Sequence, residues 1–510
     1  MTDNLYIETQ KLSKSFGKVK ANQNIDFKLK KGEIHAILGE NGAGKSTLMN
    51  MLSGVYKPDS GFVFIKGKKT KLTSPKDAIN HGIGMIHQHH ELVDNLTAKE
   101  NILIGQSKKI FFNKSNASEK IKNISKKYNL PITLDKKVYD MSIGEKQSLE
   151  IIKVLYSGAD ILILDEPTAV LTPQETKKLF EIMKKMASLG CALIIITHKL
   201  NEVMEISDRV TVLRKGKSID TLKTKKTNTK ELTDLMVGEE TNLKIENKNS
   251  KIGKTILKVN NLTVKNNSTK LLKNINFEVK KGEILGVAGV SNSGQKTLCE
   301  TIAGLQKSSN GKIIYENKDI TNHKPRDIIN RKISMSFIPE DRLGMGLAAS
   351  LDMVDNYLIK EHYNQKGIFL KRKKVEEKCE NLIEQLSIKT PGINHPVKEL
   401  SGGNIQKVLI GREIDTNPHL LITAYAVRGL DINSSHTIYD LLNEQKQKGV
   451  GILFIGEDLD TLLGLCDRIM VLSEGEVTGI VNTKDTTKEE IGFLMAGQTL
   501  KDIKKVTNNA

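Results

Sequence analysis

Eight consecutive residues, Gly39-Glu40-Asn41-Gly42-Ala43-Gly44-Lys45-Ser46, fit the spacing GxxxxGK[ST], and Thr47 follows. Glycines at these positions let successive backbone N–H groups close around an anion, and the start of a following helix adds its dipole. Lys45 is placed to reach the β and γ phosphates of a nucleotide, and the Ser46 hydroxyl to ligate the accompanying Mg²⁺. Further along, Asp165 and Glu166 close the apolar run Ile161–Leu164. Phosphoryl transfer needs charge neutralisation and a positioned nucleophile rather than covalent chemistry, so Asp165 suits the metal shell and Glu166 the polarising of an attacking water. His198 ends the next apolar run, in reach of a γ-phosphate, and Gln88 in IGMIHQHH offers a side-chain oxygen to the metal. Lys45, Glu166 and His198 are therefore the catalytic candidates, with Ser46, Gln88 and Asp165 as metal ligands.

These groups work only if particular elements deliver them. The loop needs a strand before it and a helix after it; Ile34–Leu38 reads as that strand and the run from Thr47 as that helix. Ile161–Glu166 and Ala192–His198 read as buried strands, and between them Thr172–Gly190 carries Leu179, Ile182, Met183 and Met186 at helical spacing. Alternation of this kind predicts an α/β fold with a parallel sheet flanked by helices.

The pattern occurs twice. GEIHAILGENGAGKSTL at Gly32–Leu48 returns as GEILGVAGVSNSGQKTL at Gly282–Leu298, and SDRVTVLRKGK at Ser207 returns as CDRIMVLSEGE at Cys466, an offset that grows from 250 to 259 residues. The spacing predicts a first domain over 1–240, a polar linker over 241–254, a second domain over 255–500 and a polar tail over 501–510. A chain of 510 residues has room for them.

Composition narrows the class. The net charge of +18 is spread along the chain and reads as lysine-rich solvated surface rather than a polyanion-binding face. Four cysteines stand singly, without CxxC pairs or histidine neighbours, which argues against disulfide, zinc or iron–sulfur frameworks. No apolar run approaches the roughly 20 residues that span a bilayer. The expectation is a soluble, cytosolic chain whose work at a membrane, if any, requires other subunits.

With these motifs in place, nearly the whole chain resembles the ATP-binding subunits of ABC transporters, twice over. The family's signature sequence appears intact as LSGGN at Leu400–Asn404 and as the variant MSIGE at Met141–Glu145. The resemblance implies two tandem ABC-type P-loop ATPase domains, each a parallel-sheet core with an antiparallel edge sheet and a helical subdomain. It implies head-to-tail pairing, in which ATP is held between the P-loop of one domain and the signature loop of the other. Phe16 matches the aromatic residue that stacks on adenine; Gly39–Thr47, Gln88 and Asp165 match one face of the ATP site, and Ser401, Gly402, Gly403 and Asn404 the other.

Carrying the motifs across exposes unequal halves. Gln295 stands in place of Lys45, Lys296 of Ser46, Ala424 of Asp165, Tyr425 of Glu166, Glu340 of Gln88, Glu457 of His198 and Asn266 of Phe16. An amide cannot neutralise phosphate and an ammonium repels Mg²⁺. One complete composite site is expected, from the first P-loop and the second signature loop, with ATP and Mg²⁺ as cofactors. The other site is expected to be structural or non-hydrolysing.

The resemblance further implies an importer ATPase on the cytoplasmic face of the cell membrane, serving two integral membrane permease subunits and, indirectly, an extracytoplasmic solute-binding protein, with no nucleic acid partner. A soluble tandem ATPase acting on ribosomes or DNA is the weaker alternative, because this chain lacks two competent sites and a long charged linker. A switch without turnover is argued against by Asp165, Glu166 and His198. For cargo, the degenerate second loop, PEDR at Pro339–Arg342 and RGLD at Arg428–Asp431 resemble importers of simple sugars and their nucleoside-carrying relatives. HQH at His87–His89 and TAVLT at Thr168–Thr172 resemble the nucleoside branch, and ribose or galactose remains the alternative.

Overall fold

The central strands Ile34–Leu38, Ile161–Asp165 and Ala192–Ile196 are apolar on both faces, the signature of a sheet covered by helices on each side. The computed structural model describes residues 4–87, 91–104, 114–238, 245–266, 269–290, 293–331, 333–362, 370–500 and 502. The chain divides into two units, Met1–Leu243 and Lys244–Ala510.

The first unit contains strands β1 (Leu5–Phe16), β2 (Val19–Lys30), β3 (Ile34–Leu38), β4 (Ser60–Ile65), β5 (Lys68–Thr70), β6 (Ile83–Ile86), β7 (Ile161–Asp165), β8 (Ala192–Ile196), β9 (Arg209–Arg214) and β10 (Lys217–Lys223). They form an antiparallel sheet in the order β2-β1-β4-β5 and a second sheet in the order β10-β9-β3-β8-β7-β6. In the second sheet all pairs are parallel except β9 with β10. β2 shows why the antiparallel sheet has one wet face: Ile25, Phe27 and Leu29 are buried while Asp26, Lys28 and Lys30 alternate into solvent. The helix Lys45–Leu52 lies in the core that joins the two sheets, with Leu48, Met49, Met51 and Leu52 fully enclosed among Ile25, Phe27, Ile37, Ile163 and Ile194. The loop preceding this helix is therefore clamped at its base.

The expected helix between β7 and β8 spans Pro173–Ser188, its N-terminus capped by Thr172 and Glu175 reciprocally. Leu179, Met183 and Met186 are buried as the spacing predicts; Ile182 is only half-buried, and Phe180 takes its place in the stripe. Helices Ala98–Leu103, Lys114–Tyr128 and Ile143–Tyr156 supply the helical subdomain.

The second unit repeats the plan with β11 (Thr255–Asn266), β12 (Thr269–Lys280), β13 (Ile284–Ala288), β14 (Asn310–Tyr315), β15 (Lys318–Asp319), β16 (Met335–Ile338), β17 (Leu420–Ala424), β18 (Gly451–Ile455), β19 (Arg468–Ser473) and β20 (Glu476–Asn482). Its sheets run β12-β11-β14-β15 and β20-β19-β13-β18-β17-β16, strand for strand the order of the first unit. Helices Met353–Glu361, Arg372–Gln385 and Gly402–Asp415 form its helical part, with Tyr357, Val375, Cys379 and Val408 in one core. Cys191, Cys299, Cys379 and Cys466 are free and buried. Among the described residues no helix is long and apolar enough to cross a membrane.

The stretch 241–254, linker-like in composition, is in part an ordered piece of the second unit. Residues 239–244 lie outside the described residues, but Ile245 packs on the core and Asn247 donates through Nδ2 to the Cys466 carbonyl at 2.8 Å and to Asp467 at 3.2 Å. The Asn443 amide donates to the Glu246 carbonyl at 2.7 Å. Lys446, 1% exposed, donates to Asn247 and forms an ion pair with Asp467 at 2.7 Å. Asp467 in turn accepts the Ile284 N–H at the start of β13, at 2.9 Å. Polar composition concealed this docking, because its bonds go to residues some 200 positions away in sequence. Lys446→Met removes one partner of this buried pair and should destabilise the second unit by about 2–4 kcal/mol. Amide hydrogen exchange should quicken at β13 and β19 and stay unchanged in the first unit.

Candidate active site

β3 ends at Leu38 against β9, and Gly39 then passes so close that a Cβ there would lie 2.4 Å from the Leu213 carbonyl oxygen. Gly44 adopts φ +100, and a Cβ on it would lie 2.4 Å from the Ala21 carbonyl. Only glycine fits both constraints at once. The left-handed turn at Gly44 lets the helix begin at Lys45, two residues ahead of the expected start at Thr47. Lys45 and Ser46 are thus in the first turn, where backbone N–H groups are unpaired by the helix itself.

Lys45 is buried, with Nζ donating to the Gly39 carbonyl at 2.6 Å and the Glu40 carbonyl at 2.9 Å. Burial lowers its pKa, opposed by the nearby carboxylates of Glu166, Asp165 and Glu40. Ser46, Asn41 and Gly42 are exposed, Glu40 and Thr47 half-buried, and Ala43 buried. Phe16 ends β1 at the rim, 44% exposed, edge-on to Tyr56 at 5.2 Å and with the Lys14 ammonium 5.6 Å from its ring. That exposed ring is free to stack on a base.

β7 delivers Asp165 and Glu166. Glu166 holds φ +46, a conformation costing a non-glycine residue on the order of 1–3 kcal/mol, and its N–H donates to the Ile196 carbonyl at 2.9 Å. His198, just beyond β8, donates through Nδ1 to Glu166 Oε1 at 2.9 Å. This bond, against the effect of burial, holds the Glu166 carboxyl below its ordinary pKa. Asp165 moves the other way, raised by burial and then by the charge of Glu166 beside it. Two adjacent carboxylates near one ammonium leave negative charge that a hard cation would relieve, and Ser46 supplies a hydroxyl ligand of the right kind. The glycine-bounded cradle, buried Lys45 and carboxylate pair therefore fit a nucleotide polyphosphate with Mg²⁺. Gln88 lies outside the described residues.

The second unit repeats the geometry without the chemistry. β13 leads through Gly289 to the helix Gln295–Ile302, where the Gln295 amide donates to the Val290 carbonyl at 3.1 Å. Lys296 stands 3.9 Å from Glu300. Ala424 ends β17, and Tyr425 keeps the elbow, with φ +53 and its N–H on the Ile455 carbonyl at 3.1 Å. Residues not singled out as a cluster in the sequence fill this site: Arg428 forms an ion pair with Glu340 and places Nε 3.1 Å from Glu457, its guanidinium 5.8 Å from the Tyr425 ring centre. The signal was available, since Glu340 and Glu457 add two negative charges that need a counter-ion. A cavity of about 380 Å³ beside them is lined by Lys296, Glu300, Glu340, Asp341 and Ala424.

Each unit also carries a signature loop at a helix N-terminus. Ser401 caps Gly402–Asp415, accepting from the Asn404 side-chain N–H at 2.8 Å, while the Asn404 side-chain oxygen Oδ1 accepts the Lys389 N–H at 3.0 Å. A Cβ at Gly403 would lie 2.5 Å from Ser434 Oγ, and Gly402 is exposed. In the first unit Ser142 caps Ile143–Tyr156 with Glu145, whose carboxylate is also 2.8 Å from Lys136. The structure thus brings Gly39–Thr47, Asp165, Glu166 and His198 together in the first unit, and places Ser401–Asn404 in the second.

Comparison with known proteins matches the family described as ABC transporter twice, over residues 22–169 and 272–423. The nucleoside import ATP-binding protein NupA of Lactococcus lactis is 42% identical over 508 residues, covering 98% of this chain and 100% of its own. The guanosine import ATP-binding protein NupO of Bacillus subtilis is 44% identical, covering 98% and 99%. The ribose import ATP-binding protein RbsA of Clostridium tetani is 39% identical, covering 95% and 96%.

Glu166→Gln keeps the shape of the elbow and removes its charge. ATP turnover, followed by phosphate release, should fall about 100-fold or more while nucleotide binding persists. Lys45→Ala should lose turnover to a similar extent, and near wild-type rates in either variant would overturn the roles assigned to them.

Proposed function

The chain belongs to the ABC transporter family, and from that premise we propose that it is the ATP-hydrolysing, energy-coupling subunit of a nucleoside importer. One observation carries the reading: the unit with the competent P-loop, Asp165, Glu166 and His198 is not the unit with the intact LSGGN loop, so a complete site needs one face from each. In this site Gly39–Gly44 and the first turn of the helix Lys45–Leu52 receive the phosphates, and Phe16 the adenine. Lys45 exchanges its two loop carbonyls for phosphate oxygens. Ser46, Asp165 and Gln88 would hold Mg²⁺, which would supply charge neutralisation at the phosphates. Glu166, kept ionised by His198, accepts the proton of the attacking water, and His198 faces the γ-phosphate. Ser401, Gly402, Gly403 and Asn404 close the site from the second unit.

Fusing both units in one chain makes their closure intramolecular and raises the effective concentration of each face for the other. ATP binding closes the pair and phosphate release reopens it, a two-state switch biased by γ-phosphate contacts. That motion is delivered to two integral membrane permease subunits through the loops at Gln88 and Glu340. The chain works as a peripheral subunit on the cytoplasmic membrane face, and an extracytoplasmic solute-binding protein hands cargo to the permeases. Import by the NupA- and NupO-type relatives supports nucleoside cargo, together with HQH at His87–His89 and Thr172 as helix cap. The 39% identity to a ribose import protein supports simple sugars as the second reading.

Two outcomes test this. Ser401 and Ser142 each cap a helix, so loss of either hydroxyl costs a similar stability, about 1 kcal/mol. Ser401→Ala should nonetheless depress ATP turnover at least about 10-fold more than Ser142→Ala; equal effects would refute the shared site. Disrupting the chain in its own cell should abolish uptake of labelled guanosine or uridine, whereas lost ribose uptake with intact nucleoside uptake would move the cargo to sugars.

A further inference from the structure

The loops that carry Glu166 and His198 are tied together by the carboxylate of Glu202. Glu202 sits in the first turn of the helix Leu200–Ile206, its side chain 12% exposed. The Thr168 hydroxyl donates to its carboxylate, 2.7 and 2.8 Å from the two oxygens. The Thr197 hydroxyl donates to the same carboxylate at 3.2 Å and accepts the Lys199 N–H at 3.0 Å, while Lys199 Nζ lies 3.1 Å from Glu202. Thr168 follows Glu166 by two residues, and Thr197 immediately precedes His198. One carboxylate therefore fixes the separation of the two segments whose side chains meet in the 2.9 Å His198–Glu166 bond.

The second unit provides an internal control. At the same 259-residue offset, Thr168, Thr197, Lys199 and Glu202 are replaced by Val427, Gly456, Asp458 and Thr461. No member of the network survives; Thr461 instead donates to Asp458 at 2.8 Å within its own helix cap. Yet the backbone elbow persists there, at Tyr425, held by the same kind of strand-end bond. The fold does not need the network to make the turn. The network accompanies the Glu–His pair and disappears with it.

We infer that Glu202 is a positioning residue for ATP hydrolysis, holding Glu166 and His198 in register through the hydroxyls of Thr168 and Thr197. The inference rests on the proposed roles of Glu166 and His198. It predicts an effect on the chemical step rather than on nucleotide binding, because none of the four residues belongs to the phosphate cradle.

The test is steady-state ATP turnover by the purified full chain. Glu202→Ala and Thr168→Val should each lower kcat about 10-fold or more, as expected for a slightly misplaced reacting group, with KM for ATP changed less than twofold. Thr168→Ser restores the hydroxyl and should recover most of kcat. Thr168→Val is nearly isosteric and reproduces the residue of the second unit, so it carries the test even if Glu202→Ala folds poorly. Turnover by Thr168→Val within twofold of wild type, a loss confined to KM, or a serine variant as impaired as the valine would overturn the inference. Glu166→Gln runs alongside: if it turns over normally, the assignment of the site fails; if it is inactive while Thr168→Val is not, only the role of Glu202 fails.

Discussion

Parallel register in the central sheet is the constraint on which the site depends. Ile37 of β3 pairs with Ile196 of β8, and Ile196 pairs with Asp165 of β7, so three strands end at one level. From that edge the chain leaves β3 into the phosphate loop, β7 into Asp165 and Glu166, and β8 into Thr197 and His198. A slip of one residue in β7 would turn Asp165 to the opposite face of the sheet. The register is secured by burial, since Ile34–Leu38, Ile161–Leu164 and Ala192–Ile196 are enclosed on both sides. Apolar packing, which carries no specificity for phosphate, thereby sets the positions of the polar groups that do.

The two units separate what the architecture requires from what the chemistry requires. Left-handed backbone occurs at Glu166 and at Tyr425, and left-handed glycines precede both helices, at Gly44 and Gly294. These features survive the loss of lysine, both carboxylates and histidine. Backbone strain at the elbow is therefore a property of the strand-to-loop transition rather than evidence of catalysis. The side-chain networks differ instead: a histidine–carboxylate pair in one unit, and an arginine between two carboxylates in the other.

Much of this was legible because it is local in sequence. The phosphate loop, the strands before and after it, the carboxylate pair and His198 are each defined by residues within a few positions of one another. The duplication was legible for the same reason. What escaped is non-local. Arg428 meets Glu340 across 88 residues, Thr168 meets Glu202 across 34, and Asn247 meets Cys466 across 219. Composition marked Asn247 as part of a linker, although its amide is committed to the second unit. The early helix start at Lys45 escaped because propensity does not register what a left-handed glycine permits.

The bridge from Arg428 to Glu340 and Glu457 has a thermodynamic consequence. Arg428 offsets only one of the two carboxylates it bridges, and the negative charge left over opposes entry of a polyanion. On the proposed function, the free energy available to each transport cycle is that of one phosphoanhydride bond rather than two. The steepest solute gradient the importer can sustain is then bounded by a single ATP per cargo molecule, half the free energy that two competent sites firing together would commit.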